Sequence, residues 1–305
     1  MKYLKYCFGF LFLMSIVGFT LISQKSETFN VEKTFDYNVY ALPIPKQMDF
    51  CGESVPLELL DIRERIDREL LVNTYWQSNG LLMFKRAHKF FPIIEPILTS
   101  YGIPNDFKYL ALIESGLQNV VSPAGAKGFW QIMKATGKEY GLEINSNVDE
   151  RNNLVLSTKV ACKYLLKAKN VLGTWTLAAA SYNAGVGGIS KELKRQSVNN
   201  YYDLLLGQET GRYMFRILAL KEILNNPIEY GFNFEEEDLY NYPETYKVTV
   251  DSAITDLVKF SNDFNINYKL LKIYNPWLRE GFLNNKSGKK YTFELPYVNS
   301  DKFKN

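Results

Sequence analysis

Apolar residues recur at helical spacing over most of this chain. LELLDIRERIDRELL places Leu57, Leu60, Ile66 and Leu70 at near-helical steps with charges between them, which predicts an amphipathic helix. From there to about Asn226, periodic stretches alternate with short Gly, Pro or Asn breaks and few segments alternate at period two, so the region reads as mostly α-helical. Pro104 opens the most informative helix, in which Phe107, Leu110, Ala111, Glu114 and Leu117 share one face. After Pro227 the texture changes. FEEEDLY is acidic, TYKVTV alternates like a strand, residues 252–275 read as two short helices, and KKYTFELP closes with a second strand pattern. Strand, two helices and strand predict a small α+β module over residues 245–298. Residues 24–50, with Pro43 and Pro45 and no period, read as a linker, which leaves 51–227 for a helical domain.

The first residues differ from all of this. Lys2 and Lys5 precede an uninterrupted run of apolar and small residues from Cys7 to Ile22, short for a membrane span and right for a signal-peptide core. Residues 1–23 are therefore expected to export the chain, as a cleaved signal or as an uncleaved anchor that supplies its one membrane association. The expected location is the periplasm or the envelope membrane. Net charge is +3, and removing the signal brings it closer to zero, so there is no electrostatic footprint for nucleic acid. The single histidine, His88, sits in KRAHKF and reads as a surface helix residue, which excludes multi-histidine metal sites. No metal or organic cofactor is indicated, and protein partners are not specified. Cys51 and Cys162 form an even pair in the exported part, either a disulfide or two buried thiols.

Glu114 is the residue with chemistry. A glutamate within an apolar stripe must pair with a cation or carry a raised pKa, and a protonated glutamate at neutral pH is what a general acid requires. Taken alone it reads more readily as a structural glutamate near a helix end. Two later segments bear on the choice. SPAGAKGFWQIM, from Ser122 to Met133, is a small-residue loop in which Gln131 offers donor and acceptor and Trp130 offers a face for a sugar ring. ASYNAG ends a helix begun near Thr174, with Tyr182 and Asn183 just before a glycine stop, where a phenol and an amide could hold a carboxyl or an acetamido group.

ALIESGL, SPAGAKGFWQIM, VDERNN followed by ST and A, and AAASYNAG occur in the order and spacing of the soluble lytic transglycosylase domain. The resemblance is nearest to the membrane-bound lytic murein transglycosylase D group. It covers residues 90–195 and continues more loosely through ETGRYMFRILALKEI. It implies a goose-lysozyme-like helical fold and cleavage of the β-1,4 bond between N-acetylmuramic acid and N-acetylglucosamine in peptidoglycan glycan strands. Glu114 then matches the catalytic acid, and Gln131 lines the sugar subsites. Tyr182 sits by the carboxyl with Asn183 beside it. Ser122 matches the serine of the S-P-x-G-A loop, and Met133 the methionine that packs against substrate. Trp130 stands where many relatives carry Met, and Lys134 where many carry Pro.

The implied mechanism uses one carboxyl. Protonated Glu114 donates to the glycosidic oxygen, the acetamido group of the substrate stabilises the developing positive charge, and Glu114 then takes the C6 hydroxyl proton as a 1,6-anhydro ring closes. Asp149 and Glu150 read as helix-start residues. Tyr246 to Val250, Asp256 to Val258, Leu271, Asn275-Pro276 and Lys289 to Pro296 resemble a degenerate LysM module. Its Gly-Asp-Thr turn is replaced by Val250-Asp251-Ser252, so the module either binds sugar or packs on the catalytic domain. A goose-type hydrolase with a second acidic group and a non-catalytic peptidoglycan-binding protein are the competing expectations.

Overall fold

The computed structural model describes residues 38–297. The expected signal segment, residues 1–23, lies outside them, as does most of the expected linker. No helix among the described residues is long and apolar enough to cross a membrane.

A short hairpin of β1 (Asp49–Phe50) and β2 (Glu53–Ser54) leads into α1 (Leu60–Tyr75) and α2 (Gln77–Ser100). Residues 41–50, expected as linker, belong to the body. Leu42, Ile44 and Met48 lie against the core, and Phe50 is buried with its ring 5.1 Å from that of Phe107. Apolar side chains in a proline-marked stretch without a period gave no hint of that burial. Leu60, expected on the apolar face of α1, is 71% exposed, because the buried row runs through Ile62, Ile66 and Leu70 at steps of four. Glu69 shares that row. It is buried and accepts from Arg212 Nε at 2.7 Å, which ties α1 to α8 (Gln208–Asn225).

At the centre is α3 (Lys108–Ser115). Leu110, Ala111, Leu112 and Ile113 are all buried, so the helix is enclosed all round and its apolar stripe is wider than the sequence period implies. Gly116, at φ 59, ends it in the left-handed conformation. The loop that follows leads into the short α4 (Lys134–Glu139) and then the longer α5 (Leu154–Leu172). Next come α6 (Trp175–Ala184) and α7 (Val186–Gln196), hinged at Gly185. The Glu53 carboxylate receives the backbone N–H groups of Trp175 and Thr176 at 2.6 and 2.8 Å, satisfying the first turn of α6.

The C-terminal unit pairs β3 (Thr245–Val250) with β4 (Tyr291–Pro296) in an antiparallel ladder, from Thr245 opposite Pro296 to Val250 opposite Tyr291. Between them α9 (Leu257–Asp263) and α10 (Tyr268–Tyr274) are capped by the side chains of Asp256 and Asn267. Leu257, Leu271, Trp277, Phe293 and Leu295 form a core of their own, and Val148 of the helical body is inserted in it. Asp149 N–H donates to the Trp277 carbonyl at 2.8 Å, and the Asn147 side chain bonds both Phe282 and Asn284 at 2.8 Å. Lys289 pairs with Glu143 and Glu150 at 2.8 and 2.6 Å. The fold is mainly α with a small α+β module.

The disulfide does not form. Cys51 and Cys162 are both free: Cys162 is wholly buried on the core face of α5, and Cys51 sits at the hairpin turn, its N–H held by Asp106 at 2.7 Å. Burial pushes the Cys162 thiol up to about 12 and the Cys51 thiol higher still, so neither offers a thiolate for exchange.

Candidate active site around Glu114

Glu114 is the penultimate residue of α3, with part of its surface still open to solvent. Burial pushes its pKa up to about 7. The Tyr213 phenol, which donates to Oε1, and the nearby Arg216 guanidinium pull in the other direction, while the Glu209 charge adds to the rise. Burial prevails. Tyr213 and Arg216 lie three residues apart on one face of α8, and Arg216 also donates to the Ile113 carbonyl at 3.3 Å. The carboxyl is therefore oriented by a buried phenol and partly protonated at neutral pH, the state a proton donor needs.

The loop from Ser122 to Met133 is built beside it. Ser115 Oγ donates to the Phe129 carbonyl at 2.8 Å, joining the end of α3 to the loop. Ser122 Oγ receives the Ala126 N–H at 3.0 Å and closes the first turn. Gly128, at φ 82, passes so close to the next segment that a Cβ there would meet the Arg151 carbonyl at 2.1 Å, so only glycine fits. Gln131, also in the left-handed region at φ 45, donates through Nε2 to the carbonyls of Val120 and Gly128 at 3.1 and 2.8 Å. Its amide thus holds the turn that presents it.

The residues expected at the site separate into two groups. Gln131, Met133 and Tyr182 line one cavity of about 220 Å³, with Tyr164 and Thr136 among its walls, and Met133 is 45% exposed. Tyr182 donates its hydroxyl to the Trp130 carbonyl at 2.8 Å, and the charge of Glu114 reaches its phenol. Trp130, expected to stack on sugar, is fully buried behind this wall, with its indole N–H on Thr158 Oγ1 at 2.8 Å. An aromatic beside a small-residue loop suits either place, and here the hydrogen bond to α5 fixes it in the core. Asn183 is held by α8. It donates to Glu209 at 3.1 Å and accepts from Thr210 at 2.7 Å, pinning the end of α6 to the start of α8. Among the described residues no three His, Cys, Asp or Glu side chains are grouped as a metal site would need.

Tyr213, Arg216 and Glu209 were not singled out as site residues. The one trace in the sequence is the looser similarity through ETGRYMFRI, a helix that reads as core. Tyr213→Phe removes the phenol that favours the carboxylate. The expected result is a turnover rate lowered by about ten- to a hundredfold, with the falling limb of the pH–rate profile moved to higher pH. A lowered rate with an unmoved limb would reduce Tyr213 to packing.

Residues 92–204 match the family model described as the transglycosylase SLT domain. Residues 246–299 match that of the soluble lytic transglycosylase C-terminal LysM-like domain. The helical body is thus similar to an SLT domain over those residues. Among curated proteins, the membrane-bound lytic murein transglycosylase D of Escherichia coli strain K12 is 28% identical over 264 residues, which cover 84% of this chain and 56% of the relative. Its counterpart from strain O6:H1 matches equally. The chain thus spans a little over half the length of these relatives. Among solved structures, an inactive mutant of the lytic transglycosylase Slt from Pseudomonas aeruginosa superposes with a TM-score of 0.38 and 16% identity, over 60% of this chain and 36% of that one. The SLT match begins within α2, contains Glu114 and the whole Ser122–Met133 loop, and stops before α8, so Tyr213 and Arg216 approach the carboxyl from outside it.

Proposed function

We propose that this chain is a peptidoglycan lytic transglycosylase, cleaving the β-1,4 bond between N-acetylmuramic acid and N-acetylglucosamine with Glu114 as acid and then base. One observation carries the reading: a carboxyl raised to about 7 at the end of an enclosed helix, inside an SLT domain. Protonated Glu114 gives its proton to the glycosidic oxygen as the bond to C1 breaks. The substrate's acetamido oxygen shares the positive charge at C1. The Glu114 carboxylate then removes the C6 hydroxyl proton, O6 attacks C1, and the 1,6-anhydro ring closes. No water is consumed: O6 displaces the leaving sugar at C1 within the same molecule, and the reaction falls in the lyase class. Gln131, Met133 and Tyr182 would line the sugar subsite beside it, with Ser122 shaping the loop. The N-terminal segment would deliver the enzyme to the envelope.

Glu209 favours a second reading, since it is another carboxylate whose charge acts on Glu114 and could position a water for hydrolysis. Mass analysis of muropeptides released from purified sacculi separates the two. Anhydro ends, lighter by one water than reducing ends, support the lyase, and reducing ends alone would sink it.

The pKa sets the pH dependence. The acid form is required, so the rate falls about tenfold per unit once pH passes about 7. Glu209→Gln removes a charge that raises this pKa, so the limb should move to lower pH, by less than about one unit. A limb that stays in place, or moves upward, contradicts the electrostatic assignment.

A further inference from the structure

A cavity of about 370 Å³ lies between the SLT domain and the LysM-like domain, apart from the sugar-subsite cavity. Arg86 and Lys89 of α2 stand on one wall. Arg86 donates to the Gly116 carbonyl at 3.2 Å, and the Lys89 ammonium lies 5.3 and 5.8 Å from the Phe90 and Tyr242 ring centres. Neither cation is in an ion pair among the described residues. Asn153, Leu154 and Val155 bring the positive end of the 19-residue α5 to the same space. Opposite them is Glu294, whose carboxylate already receives the Thr245 hydroxyl at 2.7 Å. Charge in the groove is therefore on the positive side.

A second observation is independent of charge. Asn152 lines this cavity with 7% of its surface exposed, and its Nδ2 donates to the Pro276 carbonyl at 3.2 Å. Its Oδ1 is buried with no hydrogen-bond partner. A buried acceptor left unpaired is costly, so a ligand that reached it with an N–H or O–H would be favoured here. Acetylated sugars bring donors and no charge. A peptide with free carboxylates brings both.

We propose that this groove binds a carboxylate-bearing peptide, its carboxylate against Lys89, Arg86 and the α5 N-terminus, and a peptide N–H on Asn152 Oδ1. Tyr274, on the LysM-like side, gives the backbone a flat apolar wall. The peptide's identity as the stem hanging from the glycan strand rests on the peptidoglycan reading; the groove's chemistry does not. Because Arg86 also holds the Gly116 carbonyl, an occupied groove contacts the cap of the helix that carries Glu114.

Calorimetry on the full chain bearing Glu114→Gln, which removes turnover, tests this with synthetic L-alanyl-γ-D-glutamyl-diaminopimelyl-D-alanine. Lys89→Glu should weaken binding by about tenfold or more, Lys89→Met by less, and amidation of the peptide carboxylates should act like Lys89→Glu. Chitotetraose should not compete. Absent binding, an affinity indifferent to Lys89 in both variants, or displacement by chitotetraose would each overturn the proposal. Peptide binding by this variant, together with a wild-type chain that yields no anhydro products from sacculi, would leave the groove standing and topple the glycan-cleavage reading instead.

Discussion

Glu114→Gln is expected to abolish release of soluble muropeptides from sacculi, by about a thousandfold or more, while the protein folds normally. General acid–base steps contribute about 10²–10⁴-fold each, and this carboxyl is assigned two of them. Glutamine fills the same volume and still accepts from Tyr213, so packing around α3 survives. The variant should also gain stability in alkali. Burial raises the folded-state pKa from 4.5 to about 7, so the proton's contribution to stability is complete below about 4.5 and is lost as pH rises through about 7. Glutamine pays no such penalty. Thermal melts at pH 8 should favour the variant by about 1–3 kcal/mol, a figure discounted for the open side of the carboxyl, and the difference should vanish near pH 4. A folded variant that clears a sacculus suspension at the wild-type rate removes Glu114 from the mechanism. A variant without the alkaline gain removes the account of its pKa.

Arg151→Met should cost the most stability of any single change near the site. Arg151 binds both oxygens of buried Asp149 at 2.9 Å, and its third nitrogen donates to the Gly125 and Ile132 carbonyls at 3.0 and 3.2 Å. Although burial opposes ionisation of Asp149, Arg151 and Lys127 hold its carboxyl below the usual carboxylate value. Without the guanidinium, Asp149 keeps Lys127 at 3.2 Å and the backbone N–H of residue 151 at 3.3 Å. Breaking a buried pair of this kind costs about 3–5 kcal/mol, or about 10 °C in melting temperature for a domain of this size. A depressed pKa stabilises above the unfolded value and loses that contribution as pH falls, so the gap between wild type and variant should close in acid. Activity should fall as well, because both carbonyls belong to the loop that presents Gln131. A melting temperature within a degree or two of wild type would show that the pair is dispensable.

What could be read in the sequence was what lies close together along it. Glu114 within its helix, the loop that follows, the glycine stop at Gly185 and the two alternating strands all leave a local period or break. What escaped is set by chain segments meeting in space. Tyr213 is 99 positions from Glu114 and stands in a helix among a run of core residues. The place of Trp130 depends on Thr158 of α5, and a count of two cysteines says nothing of whether their sulfurs meet. Asn183 follows Tyr182, but one step along a helix turns a side chain by about 100°, and here it meets Glu209 and Thr210 of α8.

Val148 has a practical consequence for anyone dividing this protein. One residue of the loop before α5 is a core residue of the C-terminal unit, and Asn147, Asp149 and Asn152 bond that unit's backbone. A cut near Pro243 would strip that residue of its surroundings and leave Glu143 and Glu150 facing each other without Lys289. The smallest portable unit therefore extends to the last strand. The two halves should melt together, and exchanging the C-terminal unit between relatives would require exchanging the 143–152 loop with it.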